Sequence, residues 1–178
     1  MTNFANEYGD GLYILARDER LEWKILDQAE LVEKCFRDNP DFLTLLDIRT
    51  IPLQEREDVI RKAFEDSVHL YLLNFLMLLV KRGGIREFSA CIQRFRDDYY
   101  RDNHISLATV TTVRPLTDAQ KQKIKEKLSQ VTGRKIILSE RVDRSLIGGI
   151  RVDVEGRRID NTIKTRMELL RRSLHADV

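Results

Sequence analysis

Residues 142–156 read VDRSLIGGIRVDVEG, and this segment is the most specific indication of the fold in the chain. After its glycine pair, apolar and charged side chains alternate, with the apolar positions at Ile150, Val152 and Val154. Such period-two alternation is typical of a half-buried strand. Glu155-Gly156 then supplies a turn, so that residues 157–159 can return as a short partner strand. The segment therefore predicts a β-hairpin that begins at a glycine pair.

The surrounding sequence extends this hairpin to a small α+β domain. Leu107–Val113 is rich in β-branched residues and predicts a strand. Thr117 and Gln120 form a capping box at the start of a helix that ends at Gly133. A short strand is expected at Ile136–Leu138, and a final helix is expected after the hairpin. The predicted order is β-α-β-β-β-α over residues 104–178.

Residues 1–103 predict an all-α helical bundle of about six helices. Apolar residues recur at helical spacing, for example at Leu21, Ile25, Ala29, Val32 and Phe36. Helix starts are indicated at Asn39-Pro40 and Pro52, and the pair Gly83-Gly84 indicates a break. The segment Val68–Val80 is apolar almost all round, which predicts a central helix of the bundle.

Aromatic content and charge both change near residue 103. All thirteen aromatic residues lie at or before Tyr100. Residues 1–103 carry 15 basic and 20 acidic side chains, whereas residues 104–178 carry 16 and 9. The first part is therefore acidic by 5 charges and the second basic by 7. These coincident changes predict two domains joined by a short link near Asp102–Ile105.

The chain shows no sign of a membrane segment or of required disulfides. Its strongly apolar stretch at Leu70–Val80 is too short to cross a bilayer, and the first residues lack the pattern of a signal peptide. Cys35 and Cys91 occupy apolar positions of helical patterns and are expected to be buried thiols of a reducing compartment, although a disulfide is possible. We expect a soluble protein whose membrane association, if any, comes through its partners.

No constellation of catalytic or metal-ligating residues is recognisable. The sequence has neither a phosphate-binding P-loop motif nor a G-x-S-x-G elbow. His69, His104 and His175 lie far apart, and none forms a metal-ligand spacing with Cys, Asp or Glu. We therefore expect a protein that is not an enzyme and has no metal site and no cofactor.

The order of residues in the hairpin is more specific than a hairpin requires, and it resembles the signature of the delta subunit of F-type ATP synthases. The mitochondrial relatives of that family are the oligomycin-sensitivity-conferring proteins. The similar pattern extends from Val142 to Asp160. Residues 74–83 (NFLMLLVKRG) and 113–117 (VRPLT) with Gln120 agree as well. The resemblance covers essentially the whole chain and implies a stator subunit that takes part in ion-coupled ATP synthesis.

The resemblance also implies a binding groove on the helical bundle. In the family, the first and fifth helices hold the N-terminal helix of an alpha subunit of the catalytic head. Two explanations for Gly9 and Gly11 in the first helix are open: a packing requirement, or a shallow groove beside Tyr8. The candidate contacts for the alpha-subunit helix are Tyr8, Gly11, Leu12, Asn74, Met77, Leu78 and Lys81. The family usually has alanine at the small positions of the first helix, so glycine is a departure.

The second domain is implied to bind the b subunits of the peripheral stalk. The candidate contacts are Ile147, Gly148, Gly149, Ile150, Arg171 and Arg172. For the glycines, the alternative is that they only set the geometry of the hairpin, and the arginines can equally be solvent-facing. The implied assembly has one copy per complex, on the cytoplasmic face of a bacterial plasma membrane.

A nucleic-acid-binding module is the alternative function, because the second domain is basic. However, single-strand binders usually stack bases on aromatic side chains, and residues 104–178 contain none. We therefore favour an interaction protein without a nucleic-acid partner.

Overall fold

A computed structural model describes residues 2–163, 165 and 167. The chain folds into two compact units that divide after Tyr99. The first unit is helical, and its last helix continues past the division. The helices are α1 (Asn3–Asp18), α2 (Glu22–Asp38), α3 (Pro40–Asp47), α4 (Leu53–Phe64), α5 (Leu70–Arg82) and α6 (Phe88–Asp102), with a 3-10 turn at Ile85–Glu87 before α6.

The second unit contains four strands and one complete helix within the described residues. These elements are β1 (Ile105–Thr112), α7 (Asp118–Thr132), β2 (Lys135–Val142), β3 (Gly149–Val154) and β4 (Arg157–Thr162). Ile163, Thr165 and Met167 are helical, and the rest of the predicted final helix lies outside the described residues. The predicted fold class, a helical bundle followed by a small α+β domain, is confirmed.

The core of the first unit is large and rich in aromatic side chains. The side chain of Phe36 lies at its centre, with ring centroids of Phe88 and Phe64 at 5.5 and 6.1 Å, both edge-on. Such edge-to-face pairs are favourable beyond the area that they bury. Helix α5 contributes six buried residues, and its exposed positions include Leu70, Asn74 and Leu78. The predicted central helix is therefore buried on most, but not all, of its surface.

Two of the predicted helix starts have the expected residues in place, and the role of Asn39 differs from the prediction. Pro40 occupies the first turn of α3, as expected. Asn39, however, makes no capping bond to α3, and its side-chain amide donates to the carbonyl of Cys35 at 3.0 Å. The same carbonyl also accepts the backbone N–H of Asn39, so this residue acts at the C-terminus of α2 rather than at the start of α3. The capping box of Thr117 and Gln120 at the start of α7 is confirmed.

The sheet of the second unit is mixed, with the strand order β2-β1-β3-β4. Strands β1 and β2 are parallel and are connected through α7, whereas β3 runs antiparallel to both β1 and β4. The small core of this unit contains six buried apolar residues: Ala108, Val110, Leu128, Ile136, Val152 and Val154. The alternation predicted for β3 places Val152 and Val154 in this core, with Ile150 at its edge.

The glycine pair sets the geometry of the β3–β4 hairpin. Gly149 has φ +89°, and a Cβ atom there would lie 2.4 Å from the carbonyl oxygen of Asn161. At the far end, Glu155 and Gly156 both have positive φ, as a tight two-residue hairpin turn requires. Only glycine at position 149 lets β4 approach so closely.

The structure also bears on the cysteines and on membrane spans. Cys35 and Cys91 are free, but only Cys91 is buried as predicted, whereas Cys35 is partly exposed. Burial raises the pKa of the Cys91 thiol to about 11. Within residues 2–163, none of the helices combines the length and the apolar character that crossing a bilayer requires.

Candidate functional site

A largely apolar concavity of the first unit lies between α1 and α5. It has a volume of about 550 Å³. Its apolar lining comes from Leu12 and Leu15 of α1 and from Phe75 and Leu78 of α5, with Tyr8 and Tyr71 beside them. Glu7 and Asn74 add polar groups. We call this surface the α1/α5 groove.

Gly11 lines the α1/α5 groove and presents no side chain to it. A Cβ atom at Gly11 would meet no neighbouring atom within 4 Å. Leu15, one turn further along, is 42% exposed, and Leu78 across the groove is 38% exposed. Partly exposed leucines that face one concavity are typical of a surface that a partner helix covers.

Gly9 has a different role from Gly11. A Cβ atom at Gly9 would lie 2.6 Å from the carbonyl oxygen of Cys91 and 2.8 Å from Cβ of Arg94, both on α6. Gly9 is therefore a packing glycine within the bundle. The interpretation of Gly9 as part of a partner groove is wrong, because this residue faces α6.

Five of the seven residues predicted to contact an alpha-subunit helix line the α1/α5 groove: Tyr8, Gly11, Leu12, Asn74 and Leu78. The other two lie elsewhere. The sulfur of Met77 lies 3.8 Å from a guanidinium nitrogen of Arg61 on α4. Lys81 lies two turns beyond Asn74, past the groove, and lines a separate cavity.

The sequence reasoning missed four groove residues: Glu7, Leu15, Tyr71 and Phe75. Helical spacing could have identified three of them. Glu7 and Leu15 lie four residues before and after Gly11, and Tyr71 precedes Leu78 by seven, so each shares a helix face with a predicted residue. Phe75 belongs to the buried face of α5 and still contributes to the lining of the groove.

A second concavity, in the α+β unit, has a volume of about 730 Å³. We call it the hairpin groove. Its lining comes from the segment after β1, from the start of α7 and from the residues that lead into β3. Apolar side chains at Leu116, Ile124, Ile147 and Ile150 lie beside the basic residues Arg114 and Lys123.

All four predicted stalk contacts of the hairpin segment, Ile147, Gly148, Gly149 and Ile150, line the hairpin groove. Ile147 is 69% exposed, which is high for an isoleucine. Arg171 and Arg172 lie outside the described residues. Val113–Leu116 and Gln120, which belong to a segment that carries part of the family resemblance, also line this groove. The site prediction missed these residues, and the family resemblance of the segment could have identified them.

Hydrogen bonds of two acidic side chains hold the walls of the hairpin groove. Glu140 on β2 pairs with Lys121 at 2.8 Å and accepts from the backbone N–H of Leu116. These interactions lower the pKa of Glu140. Asp143 accepts from both the N–H and the hydroxyl of Ser145, which lowers its pKa and fixes the turn before Leu146. The groove is thus preformed by the fold.

The described residues contain no arrangement that suggests metal chemistry. Across residues 2–163, no group of three or more His, Cys, Asp or Glu side chains could hold a metal ion. The two grooves combine apolar walls with a few charged groups, which suits the binding of a polypeptide segment.

The fold and the two grooves define a two-unit protein whose main surface features are preformed concavities. Comparison with known proteins gives the family. Residues 4–174 match the family described as ATP synthase delta (OSCP) subunit. The chain therefore belongs to the ATP synthase delta (OSCP) subunit family.

Individual relatives agree along almost the whole chain. The ATP synthase subunit delta of Halalkalibacterium halodurans is 28% identical over 171 residues, covering 96% of this chain and 93% of that protein. The ATP synthase subunit delta of Synechococcus elongatus is 30% identical over 170 residues, covering 95% and 94%. A chain of the Toxoplasma gondii mitochondrial ATP synthase hexamer has the same fold, with a TM-score of 0.71 at 20% identity and coverage of 97% and 98%.

Proposed function

We propose that this chain is a non-catalytic stator subunit of an F-type ATP synthase, linking the catalytic head to the peripheral stalk. The observation that carries the proposal is the apolar α1/α5 groove in a chain that belongs to the delta (OSCP) subunit family. The groove would take the N-terminal helix of an alpha subunit, and the α+β unit would take the b subunits. No bond is made or broken in this role.

The lining of the α1/α5 groove favours an amphipathic helix as its guest. Leu12 and Leu15 on α1 and Leu78 on α5 offer apolar contacts on two sides of the groove, between which a guest helix can insert residues at helical spacing. Gly11 between them allows a close approach of the guest backbone. Glu7 at the margin favours a guest with a basic residue on its polar face.

Two neighbouring residues on α1 provide a matched test of the α1/α5 groove. Leu15 and Ile14 are both exposed, at 42% and 49%, but only Leu15 lines the groove. We expect Leu15→Asp to weaken binding of an alpha-subunit N-terminal peptide at least about thirtyfold, because it places a charge among apolar contacts. Ile14→Asp should change the affinity by less than about threefold. Fluorescence anisotropy of a labelled peptide measures both.

Both variants should remain folded, since each replaces a side chain that is already exposed; circular dichroism checks this. Equal losses of affinity in the two variants would contradict a guest in this groove. Retained affinity in Leu15→Asp would contradict it as well.

The hairpin groove is our candidate contact for the b subunits. Its apolar residues give anchors, and Arg114 and Lys123 favour an acidic partner segment. The net charge of +7 over residues 104–178 adds a long-range attraction for the same acidic partner. Two separate contacts on one chain would retain the assembly better than either contact alone.

A second matched pair tests the hairpin groove. Ile147 and Ile159 are exposed isoleucines of the same unit, at 69% and 53%, and only Ile147 lines the groove. Ile147→Asp should reduce co-purification with a C-terminal fragment of the b subunit, whereas Ile159→Asp should not. If Ile159→Asp alone abolished binding, the contact would lie on the outer surface of β4 instead.

The remaining features of the proposed role follow from the family. One copy would serve each complex, at the cytoplasmic face of a bacterial plasma membrane and held there by its partners. The family match gives no support to the alternative of a nucleic-acid-binding module. Generic RNA should therefore bind weakly to the full chain, and tight, steeply salt-dependent binding would favour that alternative.

A further inference from the structure

The structure contains a small cavity surrounded by cationic side chains, away from the α1/α5 groove. It has a volume of about 190 Å³ and lies where the end of α5 meets the start of α4 and the segment after α3. Its lining is Arg49, Arg56, Val80, Lys81, Arg82 and Gly83. No acidic residue that the structure describes contributes to this lining, although residues 1–103 as a whole are acidic. We call it the arginine cavity.

Arg56 is the unusual member of this set, because it is a buried charge to which the described residues offer no carboxylate partner. It is only 7% exposed. Its guanidinium donates to the carbonyls of Leu46 and Ile51 at 3.1 and 3.2 Å. A guanidinium has five N–H donors, so three remain after these two bonds. Among the described residues, Arg56 forms no ion pair, which for a buried charge is unfavourable.

The other three cations lie on the solvent side of the same cavity. Lys81 and Arg82 occupy the last turn of α5. Arg49 approaches the C-cap residue Gly83, where a Cβ atom would lie 2.7 Å from a guanidinium nitrogen. Within the part of the chain that the structure describes, none of these three has an ion-pair partner. The absence of a side chain at Gly83 thus makes room for Arg49.

The dipole of helix α5 can balance only part of this positive charge. The C-terminus of a helix such as α5 carries the equivalent of about half a negative charge, which attracts basic side chains. Four cations around one cavity exceed that several-fold. Water can satisfy the remaining N–H groups, but it cannot neutralise the charge. An anion with several acceptor oxygens would do both.

We propose that the arginine cavity binds a phosphate-type oxyanion. A tetrahedral phosphate group offers acceptors in several directions, which matches the convergence of Arg49, Arg56 and Arg82. The cavity is smaller than the roughly 300–1,000 Å³ of typical drug-sized ligand sites, so it accommodates the phosphate group rather than a whole nucleotide. The group can come from free phosphate or from the headgroup of an anionic lipid. This proposal does not depend on either groove.

The test compares phosphate binding to the full chain with binding to matched arginine variants. Isothermal titration calorimetry with inorganic phosphate, at constant ionic strength adjusted with chloride, should show one saturable site. Arg82→Gln and Arg49→Gln should each weaken it at least about tenfold, because each removes a charge-assisted hydrogen bond. Arg37→Gln is the control, since Arg37 is also exposed in the last turn of a helix, α2, but lies outside the cavity.

Vesicle co-sedimentation distinguishes the two sources of phosphate. Phosphatidylcholine vesicles with and without phosphatidic acid are compared. Sedimentation that requires phosphatidic acid and is lost in Arg82→Gln, but not in Arg37→Gln, supports the site with a lipid as the source. Saturable binding of free phosphate without sedimentation supports it with a free anion. The proposal is overturned if neither probe binds, or if Arg82→Gln and Arg37→Gln weaken binding equally.

Discussion

At the scale of single residues, the two glycines of α1 illustrate how one residue type can serve opposite purposes. Gly9 is buried against the α6 backbone, where any side chain would overlap the carbonyl of Cys91. Gly11 is exposed and has open space in front of it. Both weaken the helix intrinsically, by roughly 1 kcal/mol each relative to alanine. Packing explains the first glycine, whereas the second lies in open space along the α1/α5 groove.

This contrast predicts opposite effects of the same substitution two residues apart. Gly9→Ala should lower the free energy of unfolding by about 1–3 kcal/mol, because α1 must move away from α6. Gly11→Ala should raise it by roughly 0.5–1 kcal/mol, since alanine restricts the unfolded chain and meets no neighbour. Urea unfolding followed by far-UV circular dichroism measures both. Equal effects would contradict the distinct roles of the two glycines.

At the scale of elements, the start of the β3–β4 hairpin contains a glycine that the fold requires, next to an exposed apolar residue of the hairpin groove. Its first strand begins at Gly149, beside the exposed Ile147 of the hairpin groove. The hairpin is also held by the ion pair of Arg151 and Asp160 at 3.0 Å. A change at Gly149 is therefore expected to act on the fold first and on binding only as a consequence.

A matched pair of glycines tests this order of effects. Gly149 and Gly133 both have positive φ, but only at Gly149 would an added Cβ atom meet neighbours within 4 Å. Gly149→Val should unfold the second unit, because it combines the unfavourable backbone conformation with an overlap at Asn161 and Thr162. Gly133→Val should cost only the conformational part, about 1–2 kcal/mol.

Backbone NMR spectra of the two variants give the measurement, since the signals of each unit can be followed separately. In Gly149→Val, binding of the alpha-subunit peptide by the first unit should persist. A folded second unit that fails to bind the b subunit would show instead that Gly149 is a direct contact.

At the scale of the whole molecule, the two units differ in how much apolar surface they bury. The main cluster of the first unit has 24 buried apolar residues, against six in the second, among the described residues. Buried apolar area is the dominant favourable contribution to stability. We therefore expect the second unit to depend more on its partners for stability.

Native-state hydrogen exchange of the isolated full chain measures this difference. Amides of α5 and α6 should exchange with the largest opening free energies, and amides of β1 to β4 should exchange faster. Addition of a b-subunit fragment should slow exchange in the strands and leave α5 unchanged. Equal protection in the two units without partner would contradict the expectation.

The second unit should also lose stability in acid. Hydrogen bonds lower the pKa of Glu140, Asp143 and Asp160, with Lys121, Ser145 and Thr162 as the respective principal donors. A lowered pKa in the folded state means that the unfolded chain binds protons more readily as the pH falls. The stabilisation is therefore present above pH of about 4 and is lost below it.

NMR signals of the strands should accordingly weaken as the pH falls below about 4. Asp160→Asn removes one of the responsible carboxylates, and it should lower stability at neutral pH and flatten the acid dependence. An unchanged acid dependence in this variant would contradict a contribution of Asp160.

Much of this molecule could be predicted from local patterns. The hairpin, the capping box of Thr117 and the bundle follow from alternation, capping chemistry and helical spacing, which are properties of residues close together in the chain. The stretch from Val142 to Asp160 also indicated the family, because its order of residues is more specific than any hairpin needs. The same family resemblance pointed to five residues of the α1/α5 groove and four of the hairpin groove.

Only the tertiary structure decided which side chains meet. It placed Gly9 against α6, turned the amide of Asn39 back to α2, and separated Met77 and Lys81 from the α1/α5 groove. It also brought Arg49, Arg56 and Arg82, from three different segments, around one cavity. The physical reason is that periodicity defines the faces of a helix, whereas the neighbour of each face depends on how distant helices pack against each other.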